Sequence, residues 1–173
     1  DTALFPYITV DKIHESAAHT GSKTLVRVER ETGPQYWEPF NQEHNHRYAV
    51  SRNLYKNLLG DKLCFEEINH SLQLVFRYTW KTSEEFGFIR CCEIENRGAG
   101  TIVIELIDGL QNILPASTPR LAQTTSSNLV DAYKWNELDR QTGLACFTLY
   151  SGITDRAEPC ESLKASTVFC LGL

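Results

Sequence analysis

Two short clusters in this 173-residue chain hold residue types and spacings that could do chemistry. His44 and His46 lie two apart in Asn41-Gln42-Glu43-His44-Asn45-His46. On an extended strand both rings would point the same way, as a pair of metal ligands would, with Glu43 on the opposite face. Structural zinc takes four ligands and catalytic zinc usually three, and no third follows at a diagnostic spacing. A polar loop or strand edge is the ordinary reading, and no metal is assigned. Asp155 and Glu158, with Arg156 between them, offer the two carboxyl groups that glycoside hydrolysis uses across a scissile bond. Carboxylate separation is set by the fold, and Asp-Arg-x-Glu in a polar loop is more often a surface ion-pair cluster. No Ser sits in a GxSxG elbow, and no Cys has a His beside it to hint at a thiolate. Without a Gly-rich phosphate loop, no nucleotide cofactor is expected, nor any other cofactor.

Binding chemistry has better candidates. Trp37 and Trp135 are flanked by polar residues, so either ring could be exposed and lie against the apolar face of a sugar, or anchor a neighbouring domain. Trp80 shares parity with the apolar face of its strand and reads as core. Asp108-Gly109-Leu110-Gln111-Asn112-Ile113-Leu114-Pro115 follows the apolar run Thr101 to Ile107, a natural place for a ligand-facing loop. Its structural alternative is a turn at Asp108-Gly109 with Asn112 capping backbone groups, which needs no ligand. Asn69-His70-Ser71 matches a glycosylation sequon and is read as coincidence.

Composition narrows the partners. The net charge of −5 has no basic block to neutralise phosphates, which argues against nucleic acid. No apolar run approaches the roughly 18 residues of a membrane-spanning helix. Apolar content of 42% and charged content of 23% are those of a chain that folds, and the length suits one domain. The six cysteines contain no CxxC, and adjacent Cys91 and Cys92 would face opposite sides of a strand. Cys64, Cys146 and Cys170 lie among apolar neighbours, so reduced, buried thiols are expected, with a cytoplasmic leaning. The absence of Met, and a terminal strand Thr167 to Leu173 without a polar tail, suggest a fragment of a longer protein.

The elements that must carry these residues are strands. Leu72, Leu74, Phe76, Tyr78 and Trp80 share one parity, with Gln73, Arg77 and Thr79 on the other: a half-buried strand. Phe86 to Ile94 and Thr101 to Ile107 follow after polar turns and are expected to continue it as a meander. Lys23 to Arg30 sets Val26 and Val28 on one face before Gly33-Pro34 and the aromatic segment at Tyr36. Leu144 to Tyr150 and Ser166 to Leu171 are strand-like, separated by the polar Asp155 to Glu161. Pro119 to Asn128 reads as a long loop, and Asn128 to Leu138 is ambiguous between strand and helix. Many short strands without long amphipathic helices predict an all-β antiparallel sandwich.

Several segments taken in series resemble the N-terminal domain of the cellobiose and chitobiose phosphorylase type of glycoside-processing proteins. They are His46-Arg47-Tyr48, Phe88-Ile89-Arg90 leading to Glu95-Asn96-Arg97-Gly98, Asp108 to Pro115, and Asp155-Arg156-Ala157-Glu158-Pro159. The likeness covers roughly Arg47 to Leu173. It implies a single large antiparallel β-sandwich of the galactose-mutarotase kind over residues 1–173, preceding a helical-barrel catalytic domain that it supports. No barrel is present, so the resemblance implies fold and domain role and no catalytic residue. The expected partners are that barrel and an oligosaccharide, with no nucleic acid and no membrane. The candidates for contact with sugar or barrel are Trp37, Asp108, Gln111, Asn112, Trp135 and Arg156. The alternatives are a stand-alone mutarotase-like enzyme, with His44, His46 or His70 as base beside a carboxylate in one concave pocket, and a carbohydrate-binding module presenting a row of aromatics.

Overall fold

A computed structural model of the chain describes residue 12 and residues 17–153 and 161–171. The protein is all-β with antiparallel sheets: β1 (Gly21–Val28), β2 (Gln35–Trp37), β3 (Val50–Lys56), β4 (Lys62–Asn69), β5 (Leu74–Ser83), β6 (Gly87–Asn96), β7 (Ile104–Gln111), β8 (Lys134–Asp139), β9 (Leu144–Ser151) and β10 (Glu161–Val168). Two short helices, α1 (Arg120–Thr125) and α2 (Ser127–Tyr133), precede β8. The chain divides into two compact units, one of Thr24–Asp108 and one of Asp1–Lys23 with Gly109–Leu173.

The Thr24–Asp108 unit contains a three-stranded sheet in the order β2-β1-β7 and a four-stranded sheet in the order β3-β4-β5-β6. Val26, Val28 and Trp37 of the first pack against Tyr48, Leu72, Leu74 and Phe76 of the second side in one core, so the unit is a sandwich. Burial of each such side chain stabilises by about 1.5–3 kcal/mol against an exposed one. The alternation read from Leu74 and Phe76 holds, although Val75 on the other parity is also fully buried. The expected meander stops after β6. β5 and β6 pair from Leu74↔Asn96 to Ser83↔Gly87, but β7 pairs with β1 in the other sheet. The crossing is organised by Asn96, whose carboxamide accepts from Gly98 N at 2.9 Å and donates to Gly100 O at 2.7 Å. Ile102 and Ile104 then pack on the shared core, a burial that a third strand beside β6 would not give them.

In the other unit β8, β9 and β10 form an antiparallel sheet in the order β10-β9-β8. Leu114, Ala122, Val130 and Leu149 form its core, with Ile153 packed on them. The segment expected to be a loop is therefore largely α1. Its Ser and Thr content is poor for helix, but packing of Ala122 stabilises what propensity does not. Gln123 Nε2 donates to Thr118 O at 2.9 Å, and Thr118 Oγ1 to Pro115 O at 2.6 Å, fixing the entry. The ambiguous Asn128 to Leu138 divides: α2 ends at Tyr133 and β8 begins at Lys134. β10 starts at Glu161 and ends at Val168, earlier at both ends than the apolar run suggested, with a register irregularity between Glu161 and Lys164.

Candidate functional site

The Asp108 to Pro115 segment is no turn at its start. β7 continues through Gln111, and the direction changes at Asn112, which takes φ of 53°. A carboxamide side chain tolerates this left-handed conformation better than most. Ile113 and Leu114 behind it are 3% and 0% exposed, so the second half of the phrase is core rather than a ligand-facing loop. Leu114 packs with Val130 and Leu149, distant neighbours that local sequence could not show.

Asp108 lies in a polar clamp between the two sheets of the sandwich. Arg90 Nη1 donates to its Oδ2 at 2.5 Å, Thr24 Oγ1 to its Oδ1 at 2.5 Å, and Cys92 Sγ to Oδ2 at 3.2 Å. Thr24 and Asp108 come from β1 and β7, Arg90 and Cys92 from β6. The Arg90 guanidinium also lies 4.8 Å from the centre of the Tyr78 ring, and its side chain is 7% exposed. Arg90 Nε is buried and has no hydrogen-bond partner among the described residues. Burial pushes the Asp108 carboxyl up, but hydrogen bonds from Arg90 and Thr24 outweigh it and hold the group below the usual carboxylate range. Although Cys92 as a whole is exposed, its sulfur sits against Asp108, and the local desolvation there pushes the thiol up to about 12.

A second polar cluster fills the same sandwich. Glu67 is 1% exposed; its Oε1 accepts from Trp37 Nε1 at 2.8 Å, and its Oε2 from Phe40 N at 2.7 Å and Arg52 Nε at 2.6 Å. Trp37, expected to be open to sugar or a neighbouring domain, is 1% exposed. The reason is this carboxylate: it satisfies the indole N–H and lets the ring be enclosed. Phe40 takes φ of 68°, a strained backbone for an aromatic residue, where its N–H meets Glu67.

In the unit containing Gly109–Leu173, Asn112 Oδ1 accepts from Lys134 Nζ at 2.7 Å, and that lysine side chain is 5% exposed. Asp131 pairs with Lys134 at 3.0 Å and with Lys12 at 2.6 Å. Burial pushes the Asp131 carboxyl up, and the hydrogen bonds of both lysines bring it below the ordinary range. Gln111 Nε2 donates to Ala18 O at 3.2 Å. Gln111 and Asn112 thus tie together segments distant in the chain, and the Asn112 carboxamide accepts from a lysine rather than capping backbone groups of a turn. Trp135 differs: it is 58% exposed on β8. Register sets Trp135, Thr148 and Ala165 in one cross-strand row and Glu137, Cys146 and Thr167 in the next on the same face.

Arg156, with Asp155 and Glu158, lies outside the described residues. His44 closes a short 3-10 turn, Gln42–His44, with His46 beyond it, so the two are not on the extended strand that would align their rings. Among the described residues no group of three His, Cys, Asp or Glu side chains is placed to hold a metal. His70 Nε2 is 2.8 Å from Ser51 Oγ on the sandwich surface. Asn69 of the sequon is 0% exposed and accepts from Leu72 N, which bars an oligosaccharide there in the folded chain. Cys91, Cys92 and Cys170 are exposed and Cys64 and Cys146 half-buried, all five free thiols; the expectation of burial fails most clearly at Cys170, which lies beyond the end of β10. A small open cavity of about 140 Å³ is lined by Ala122, Leu149, Ile153 and Lys164, among others.

Sequence reasoning passed over Glu67 and Arg90. A signal existed, since Phe65 and Glu67 share a strand face, as do Arg90, Cys92 and Ile94, and a charge in register with core residues is one that must find a partner. No protein-family model matches the chain, and no curated protein matches it.

Proposed function

We propose that this chain is a non-catalytic β-sandwich domain of a glycoside phosphorylase-like or hydrolase-like protein, supporting a helical-barrel catalytic domain and contributing contacts to an oligosaccharide. The observation that carries the reading is Trp135, 58% exposed on β8 at the edge of its sheet, with the exposed Glu137 and Thr167 in the adjoining row. An indole can lie along the apolar face of a pyranose while a carboxylate and a hydroxyl take its hydroxyls, or it can be enclosed by another domain. The buried charges support a structural role for the rest. Glu67 and Asp108 are held by neighbours in the core, an arrangement that builds a scaffold rather than a reaction centre.

Two measurements test this. Mass spectrometry of the native product in source cells is expected to find a chain several times longer; a product of this length overturns the supporting role. Titration of the chain with cellobiose and with chitobiose, read by calorimetry, is expected to show weak binding that Trp135→Ala removes. Binding that survives the substitution, or none at all, takes sugar contact away from this face.

A further inference from the structure

Among the described residues β3 is an edge strand of the four-stranded sheet, and its hydrogen-bonding direction follows from its register. At its ends Asn57 N donates to Lys62 O and His70 N to Ala49 O. In an antiparallel ladder, residues that exchange bonds alternate with residues that do not. The register runs without a shift from Val50↔Asn69 to Lys56↔Leu63, so Ser51, Asn53 and Tyr55 bond to β4. Val50, Arg52, Leu54 and Lys56 therefore aim their N–H and C=O groups away from it. Folded proteins blunt such an edge with proline, a bulge, a short strand or charged side chains, lysine above all. β3 has no proline and no bulge; of its two charges Arg52 is turned to Glu67 and Lys56 stands at its end, while Leu54 and Tyr55 upon it are 62% and 52% exposed. Beyond it the β3–β4 turn holds Leu58 and Leu59 at 101% and 85% exposure.

We propose that this edge pairs antiparallel with the same edge of a second copy, about a two-fold axis through Asn53. The four outward residues are placed symmetrically about that position. Arg52 falls opposite Leu54 of the second copy and Val50 opposite its Lys56, so every outward group meets an outward group and no like charges face one another. An axis along the sheet normal keeps the core faces of both copies on the same side, and the sheet continues across the interface. Leu58 at each tip comes beside the start of β3 in the other copy, which covers a side chain otherwise wholly in water. An unrelated extended peptide offers the same backbone groups; a second copy is the reading because, in one symmetric register, it sets uncharged residues opposite Arg52 and Lys56 and covers Leu58.

The test is the oligomeric state of the full chain, by sedimentation from about 1 μM to about 100 μM, the range suited to a seven-residue strand pairing of modest area. A monomer–dimer equilibrium is expected, abolished by Leu54→Pro, which removes an outward N–H that β4 does not use. Asn53→Cys serves independently of how that variant folds. Directly opposed residues of a non-bonded pair lie about 4.5 Å apart, within roughly 4.4–6.8 Å for a disulfide. Oxidation of that variant is therefore expected to give a dimer whose disulfide joins position 53 of one copy to the same position of the other, read by peptide mapping. A chain monomeric throughout, a dimer that folded Leu54→Pro leaves intact, or a dimer without that cross-link overturns the proposal.

Discussion

At the scale of single residues, the sandwich is specified by carboxylates as much as by apolar side chains. Asp108 ties Thr24 to Arg90, and its loss would leave a guanidinium 7% exposed without its counter-charge. Removing one partner of a buried pair costs about 3–5 kcal/mol. Asp108 is one-fifth exposed at its side chain, so Asp108→Asn is expected to cost less, about 2–3 kcal/mol, in urea unfolding at pH 7. The folded carboxyl lies below its ordinary value, so its contribution is complete above the unfolded pKa near 3.9 and is lost as pH falls through the folded value. The gap in unfolding midpoint between wild type and Asp108→Asn should accordingly shrink toward zero in acid. A gap that is constant with pH would show that the carboxylate charge plays no part in the clamp.

At the scale of elements, the turns decide which strands meet. The β5–β6 hairpin closes on Gly87, which takes φ of 69° with no described atom within 4 Å of where a Cβ would stand. The obstacle to a side chain there is the backbone alone, so Gly87→Ala is expected to cost about 1 kcal/mol. A thermal shift of a few degrees without loss of cooperativity would be the reading. A neutral result would mean that the hairpin relaxes its turn and that the ten-residue pairing of β5 with β6 sets its own register.

At the scale of the whole molecule, each compact unit has its own apolar core. Phe76 anchors one and Leu149 the other, both 1% exposed. Truncation to Ala is expected to cost about 3–5 kcal/mol at Phe76 and about 2–5 kcal/mol at Leu149. Native-state hydrogen exchange should locate the losses separately: faster exchange in β4 and β5 for Phe76→Ala, and in β8, β9 and β10 for Leu149→Ala. Equal acceleration everywhere in both variants would show that the two cores open as one.

The all-β class was legible in the chain because strand parity is local: Leu74 and Phe76 against Arg77 and Thr79 reveal a half-buried surface without knowledge of what covers it. β1 follows from the same signal, and β6 and β9 from strand-like runs of aromatic and β-branched residues. β3 and β4 did not, since Glu66, Glu67, Arg52 and Asn53 break the apolar pattern, and only pairing shows Glu67 matched by Arg52, and Glu66 by Arg77 and the Asn53 carboxamide. The strand β7 was visible, but its partner was not; adjacency in sequence favoured β6, while burial of Ile102 and Ile104 sent it to β1. Among the candidate site residues, chemical type was readable and environment was not. Trp135 and Trp37 have similar polar neighbours in sequence, yet one stands in solvent and the other donates to a buried glutamate thirty positions away. Sequence determines which side chains could bind, pair or pack; long-range contact decides which of these each one does, because burial and partner charge are properties of neighbours that the chain brings together only by folding.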